Sequence, residues 1–271
     1  MRPITFLKSA ILGLALSTGM AAQADMLSDI LADGEMTFGT EMHYAPFDLL
    51  VEGEYQGLCK DLMDEVTEEL GVSPIYNDLP WTSVLPGLEA GKFQMVNAPV
   101  TITAERLERY AFTLPIADAS VGLVKRKGDD KISTPEDIKG LVVGSQKGSA
   151  QLDQLKAFAE EVGGADVREY SSVDEAYADL AAGRLDAVAG SFPLLGYLAQ
   201  QRPEIFETVT PVFGKKKYFA WVAVKSPETE TMIDKVNEVI LAMHEDGRMA
   251  DLHEKWLGTA VELPKEMPAV E

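Results

Sequence analysis

Cysteine occurs once in the 271 residues, as Cys59, so no disulfide can form within the chain. Basic side chains are scarce: 24 Lys and Arg stand against 44 Asp and Glu, for a formal charge of -20. Such a balance repels phosphate backbones and argues against a nucleic-acid partner. The three histidines, His43, His244 and His253, lack the spacing of a metal site or a catalytic triad and read as surface or loop residues. Beyond the first 24 residues no apolar run is long enough to cross a bilayer, so stable membrane insertion is not expected. The full chain is 46% hydrophobic and 25% charged, which excludes a disordered chain. Its length supports one large core or two modest ones.

Residues 1–24 have the pattern of a secretory signal. Arg2 and Lys8 make a positive start, residues 10–16 a short apolar stretch, and Ala22-Gln23-Ala24 a small-x-small cleavage site. Cleavage there leaves 271 - 24 = 247 residues with a charge of -20 - 2 = -22. No cysteine follows the cut, so a lipid anchor is not expected. The mature chain is expected to be periplasmic and monomeric. Cys59, between Leu58 and Leu62, reads as a small core residue.

Short apolar runs alternate with amphipathic helical stretches, the signature of an α/β fold. Strands are expected at 36–39, 95–97, 141–144, 186–189 and 219–224, and a helix at 60–70 stopped by Gly71. Thr134-Pro135-Glu136-Asp137 and Ser172-Val173-Asp174-Glu175 have the form of capped helix starts, the second helix ending near Gly183. Ile233, Val236, Ile240 and Met243 follow helical spacing and should face a core. Two basic runs, at 125–127 and 215–217, read as solvated surface and receive no role.

An internal similarity organises these elements. LEAGKFQMVNAP at 88–99 matches LAAGRLDAVAGS at 180–191 at a constant offset of 92. Each runs from a helix end, through glycine and a basic residue, into an apolar strand that ends on small residues. Chance produces such helix–Gly–strand units too. The functional reading is two lobes of similar build whose strand ends face a shared cleft, where ligands of open α/β sheets sit.

The stretch from Gly39 to Arg106 carries a specific pattern. GTEMHYAPF (39–47), QGLCKDL (56–62), Trp81, LEAGKFQMVNAPVTITAER (88–106) and Phe112-Thr113 follow in order. VVGSQKGSA (142–150), GRLDAV (183–188) and DGRMADLHEKWLG (246–258) complete it. This set resembles the bacterial extracellular solute-binding proteins of family 3, periplasmic receptors for polar amino acids that serve ABC importers. The resemblance implies two α/β lobes joined by two hinge strands around an interlobe ligand cleft. Lobe one would comprise 25–117 plus 217–271, and lobe two 118–216, with crossings near 116–121 and 216–220. It implies a membrane ABC permease as partner, a small carboxylate-bearing ligand, and no metal or cofactor.

The resemblance also assigns roles. Arg106 would hold the ligand carboxylate, a task for which a guanidinium is suited because two parallel N–H bonds fix orientation. On residue type alone it would be a surface partner of Glu105 or Glu108. Thr101 would add an amide and a hydroxyl. Ser149 and Ala150 open a helix after a glycine turn, where free amides favour an anion, while Ser149 can equally be a plain N-cap. Tyr44 and Trp81 would wall the ligand, or otherwise pack in a core. Glu41 could receive an ammonium or guanidinium, or be a solvated loop carboxylate.

Two positions depart from the family pattern. Ser191 stands where amino-acid binders commonly place an acid for the ligand ammonium. Pro99 stands for the usual glycine and offers a carbonyl but no amide. Either Glu41 and the carbonyls of Ala98 and Pro99 replace the missing acid, or the ligand is not a standard α-amino acid. A binding protein is expected, not an enzyme. The alternatives are an exported enzyme of the cyclohexadienyl dehydratase kind on the same fold, for which Glu41 is the one nameable acid, and a sensor subunit that hands ligand to a membrane receptor.

Overall fold

The computed structural model describes residues 25–270, so the expected signal at 1–24 lies outside the described residues. The first part of the chain runs α1 (Met26–Asp33), β1 (Glu35–Thr40), β2 (His43–Tyr44), β3 (Asp48–Val51), β4 (Glu54–Gln56) and α2 (Leu58–Leu70). It continues with β5 (Ser73–Asp78), α3 (Trp81–Glu89), β6 (Met95–Thr101), α4 (Ala104–Arg109), β7 (Tyr110–Phe112) and β8 (Ala117–Asp118). The middle runs β9 (Val121–Arg126), β10 (Val142–Gln146), α5 (Ala150–Glu161), β11 (Asp166–Tyr170), α6 (Val173–Ala181), β12 (Ala187–Ser191), α7 (Phe192–Gln201) and β13 (Phe206–Phe213). The chain closes with β14 (Tyr218–Val224), α8 (Glu230–Asp246) and α9 (Arg248–Leu257).

Two sheets carry the architecture. One has the order β5-β1-β6-β14-β7, with β8 also pairing to β14; the other has the order β11-β10-β12-β9-β13. In each, three parallel strands (β5, β1, β6 and β11, β10, β12) are followed by an antiparallel fourth. The similar segments of the sequence fall on equivalent elements: α3 leads into β6, and α6 leads into β12. The offset of 92 thus marks a repeated unit, and the fold is a two-lobed α/β one. The chain passes between the sheets twice, after β8 and before β14.

Local chemistry explains the element ends. Gly71 takes φ 69° and its N–H returns to the carbonyls of Thr67 and Glu68, stopping α2 where expected. Ser172 accepts the Glu175 amide and opens α6. The Thr134–Asp137 capping box also forms, but it caps only a four-residue 3-10 turn, Pro135–Ile138. Gly140 at φ 73° turns the chain into β10 before a helix can develop. Pro99 sits inside β6, where a missing N–H would ordinarily break the ladder. The register with β14 shifts between Ala220 and Val222, and Trp221 turns its N–H to Thr113 Oγ1 (3.0 Å) and its carbonyl to the Thr113 amide. The neighbour strand therefore does not need Pro99 to donate.

The cores follow from this layout. Ile233, Val236, Ile240 and Met243 of α8 pack with α1, α2 and α9 on one face of the first sheet, and this cluster runs on across the crossings to α6 and α7. A second cluster joins α3 to the other face, and a third lies under α5 in the second lobe. Cys59 is fully buried, as expected.

Two expectations need correction. His253 is fully buried in α9, with Nε2 2.8 Å from the carbonyl of Ile116 just ahead of β8; burial holds its pKa below the usual histidine value. His244 is half-buried in α8, and only His43 of the three is exposed. The 125–127 run is not simply solvated surface. It ends β9 at the far end of the second lobe, where Lys125 donates to the carbonyls of Asp129 and Ile132 and Arg126 pairs with Asp129.

Candidate functional site

The carboxyl ends of the parallel strands of both sheets meet. Thr101 ends β6 and Ser191 ends β12; Glu41 directly follows β1 and Gln146 ends β10. Between them lies a cavity lined by nine of the ten residues singled out from sequence, all but Ser191. The space between side chains is about 300 Å³, of which about 10 Å³ admits the centre of a water molecule. That is room for about one water. Hydrogen bonds from Arg106, Gln146 and Gln151 cross the cleft and narrow the space over the site.

Arg106 arrives on α4, a six-residue helix whose N-cap Thr103 accepts the Arg106 amide at 3.2 Å. Its guanidinium donates through Nη1 to the Thr101 carbonyl (3.1 Å) and through Nη2 across the cleft to the Gly148 carbonyl (3.2 Å). It also lies over the Trp81 ring, 5.6 Å from the centroid. Trp81 opens α3 behind Pro80 and reaches the same Gly148 carbonyl with Nε1 at 3.1 Å. Burial lowers the Arg106 pKa, against which Asp153 is the strongest charge acting. A guanidinium stays protonated under such conditions and has donors to spare. The surface pairing with Glu105 or Glu108 is not what forms.

Glu41, also on the cavity wall, is almost fully buried. Gln146 Nε2 donates to both of its carboxyl oxygens, at 2.8 and 3.0 Å, across the cleft. Burial pushes the Glu41 carboxyl up to about 7; the Gln146 side-chain amide and the Trp81 backbone amide work against that rise, and Asp78 and Asp174 add to it. The solvated-loop reading of Glu41 does not hold. Outside it, Glu41 also borders an acidic recess with His43, Asp78 and Asp174.

The remaining lining is built from strand ends and one helix start. Ala98 and Pro99 lie in the fully buried β6. Ser149 is the N-cap of α5, accepting the Leu152 amide at 3.1 Å while donating to the Gln146 carbonyl at 2.8 Å. The first amides of α5, at Ala150 and Gln151, have no partner within the helix. Tyr44 stands edge-on to Phe219, with centroids 6.4 Å apart, and burial raises its phenol pKa so that it stays a neutral hydroxyl.

Ser191 is the exception among the expected residues. It is fully buried, influences the Tyr44 hydroxyl, and does not line the cavity. Three lining residues were not anticipated: Gln146, Gln151 and Phe219. Gln151 Nε2 reaches Thr101 Oγ1 at 3.2 Å and the Ala119 carbonyl at 3.4 Å, another bridge across the cleft. Gln146 lay inside the quoted VVGSQKGSA stretch, and Gln151 is the residue after it. Phe219 began an expected strand, and nothing in its pattern distinguished cavity from core.

Comparison with known proteins places the chain. It belongs to the bacterial extracellular solute-binding proteins, family 3, matching over residues 36–259. It is 28% identical over 257 residues to an L-cystine-binding protein of Escherichia coli strain K12, covering 93% of this chain and 94% of that one. It is 29% identical to the lysine/arginine/ornithine-binding periplasmic protein of the same strain, covering 92% and 97%. Among solved structures, an ancestral arginine-binding protein bound to arginine superposes with a TM-score of 0.76 at 29% identity, over 82% of this chain and 98% of that one. An ancestral amino acid-binding protein described as a precursor of cyclohexadienyl dehydratase gives 0.78 at 28%, over 85% and 99%. The relatives are periplasmic amino-acid-binding proteins, so a solute-binding role is supported. Among the described residues no helix is long and apolar enough to cross a membrane.

Proposed function

We propose that the protein is the periplasmic receptor of an ABC importer and captures a small carboxylate-bearing solute, a polar amino acid or a derivative of one. The observation that carries this is Arg106: a half-buried guanidinium at the cavity wall whose hydrogen bonds go to two carbonyls rather than to a carboxylate. A ligand carboxylate would complete it, with Thr101, Ser149 and the free amides at the start of α5 as further donors. Tyr44 and Trp81 would flank the ligand body. Glu41, with the carbonyls of Ala98 and Pro99, would take over from the acid that Ser191 lacks and receive an amino or guanidino group.

In this reading residues 1–24 are a cleaved export signal. Lobe one is 25–117 plus 217–271 and lobe two is 118–216, and the mature protein is a monomer. Opening at the two crossings admits the solute and ligand-driven closure presents it to the permease. The test is calorimetric titration of the mature protein with single L-amino acids. Saturable binding that is lost in a folded Arg106→Ala variant supports the reading; unchanged affinity in that variant refutes the carboxylate assignment.

A second reading, an exported enzyme, rests on Glu41. Its carboxyl, pushed up to about 7, is poised as a general acid in a fold shared with the dehydratase precursor. Turnover of prephenate-like acids, abolished by Glu41→Gln, would select it over simple binding.

A further inference from the structure

Gln151 belongs to the first turn of α5, the helix whose core lies on the second sheet. Its side chain is almost wholly buried and reaches out of that lobe. A carboxamide has two hydrogens to give, and both are spent. Nε2 donates to Thr101 Oγ1 at 3.2 Å, at the end of β6 in the first sheet, and to the Ala119 carbonyl at 3.4 Å. Ala119 lies on the first passage between the sheets, and its own N–H donates to the Lys217 carbonyl on the second passage at 2.9 Å. The carboxamide thus rests where the two passages are joined. One turn on, Gln154 Oε1 accepts the Lys215 amide of the second passage at 3.0 Å. Residues at this spacing share a helix face, so one face of α5 holds both passages. The same helix start carries the free amides of Ala150 and Gln151. Thr101, for its part, gives its carbonyl to Arg106 Nη1 at 3.1 Å.

Resting on the solute-binding reading above, we infer that Gln151 is a positioning residue that ties the donors for the ligand carboxylate to the passages between the lobes, so that carboxylate capture and closure go together. It acts through Thr101 and Ala119. With its bonds made, the α5 amides of one lobe and the Arg106 and Thr101 side chains of the other border one cavity. When the lobes part, the bond to Thr101 breaks, so it favours the closed form alone. A carboxamide does this without adding charge beside Arg106. A carboxylate in its place would offer the Ala119 carbonyl no donor and would repel an anionic ligand.

The consequence is kinetic as well as thermodynamic. Without these donors the closed form keeps a buried hydroxyl and a buried carbonyl short of a partner, and its population falls. Affinity should drop about tenfold, because only the binding-competent fraction holds the solute. Solute meets the open form, which lacks the Thr101 bond, so association should stay within about twofold and dissociation should carry the loss. A residue that merely kept α5 in its place would behave differently. Its removal would misplace the donors at the first encounter, slow association, and show no coupling to Thr101.

The probe is the tightest binder among the standard L-amino acids and their N-methylated derivatives. Stopped-flow tryptophan fluorescence reads both rate constants, since Trp81 lines the cavity, and calorimetry reads the affinity. Gln151→Met keeps the side-chain length without the donors, and Gln151→Ala is a second variant at the same place. Thr101→Val removes the partner hydroxyl, and the double variant completes a cycle; thermal melts check that each folds. Gln151→Met is expected to lose about tenfold in affinity through faster dissociation, but only about threefold when added to Thr101→Val. An unchanged dissociation rate in a folded Gln151 variant overturns the inference. So does a loss confined to association, a pair of losses that simply multiply in the double variant, or failure of both Gln151 variants to fold. Should the wild type bind no member of the probe set, the solute-binding reading falls and this inference with it. A wild type that binds, with variants that behave in any of the overturning ways, removes this inference alone.

Discussion

Arg106→Gln removes one charge from the cavity and leaves a shorter planar, donor-bearing side chain. The guanidinium spends two of its five donors on the carbonyls of Thr101 and Gly148 and stacks on Trp81. The ligand carboxylate would meet it in a narrow cleft between side chains of both halves, where screening is weaker than in open water. Deleting one partner of such a buried charge pair costs about 3–5 kcal/mol, since the other charge is left uncompensated. Affinity should therefore fall by about two to three and a half orders of magnitude. Arg106→Lys should recover part of the loss, because it restores the charge without the two-pronged geometry. Calorimetry at pH 7 reads both variants, with melting curves as the folding control. A loss under tenfold in a folded Arg106→Gln variant would refute the assignment of Arg106 to the ligand carboxylate.

Asp48 is fully buried at the start of β3, bonded by the Tyr55 hydroxyl, and burial pushes its carboxyl up to about 8. The folded chain then keeps a proton that the unfolded chain loses above about 4, so stability falls as pH rises from about 4 to about 8, by on the order of 5 kcal/mol in all. Asp48→Asn should remove most of that slope in urea unfolding curves, leaving the smaller part due to Glu41; an unchanged slope would show that Asp48 ionises normally. Ser191→Asp should lower the melting temperature of the free protein, since a carboxylate joins the buried surroundings of Tyr44. The same variant should bind plain α-amino acids about tenfold more tightly, through one charge-assisted hydrogen bond to the ammonium. Equal affinity would mean that the ammonium is held elsewhere. Gly57→Ala should cost on the order of 2 kcal/mol. Its φ is +132° and a Cβ there would lie 2.2 Å from the Phe47 carbonyl oxygen, so an unshifted urea midpoint would contradict the backbone geometry.

The sequence made the repeated α/β unit readable because its signals are local. Gly71 and Gly183 stop helices, Ser172 caps one, and the apolar runs of β6 and β12 carry the parallel strands. The small β2–β3–β4 sheet was not readable, since its strands are two to four residues long and lack an extended alternation. The end of α3 was legible ahead of Gly91, but its start was not, because Pro86 interrupts its interior. At the site, the charged and aromatic residues were legible through the resemblance. The glutamines were not, because an amide side chain carries no charge pattern and its role depends on what the opposite lobe presents. His253 misled for a similar reason: a lone histidine on a strongly amphipathic helix says nothing of the Ile116 carbonyl it will meet. Ser191 was correctly located at a strand end, yet it is fully buried and does not line the cavity.

The most direct test of the central claim is a thermal-shift screen of residues 25–271, unfolded and refolded to strip carried ligand. The panel holds the standard amino acids, N-methylated and cyclic derivatives, opines and amine-free carboxylates. A ligand that binds only the folded state raises the melting temperature by mass action. A clear, saturable shift with at least one carboxylate-bearing amino acid or derivative, absent in folded Arg106→Gln, is the predicted result. No shift with any member of the panel, or one that Arg106→Gln leaves intact, would contradict the account.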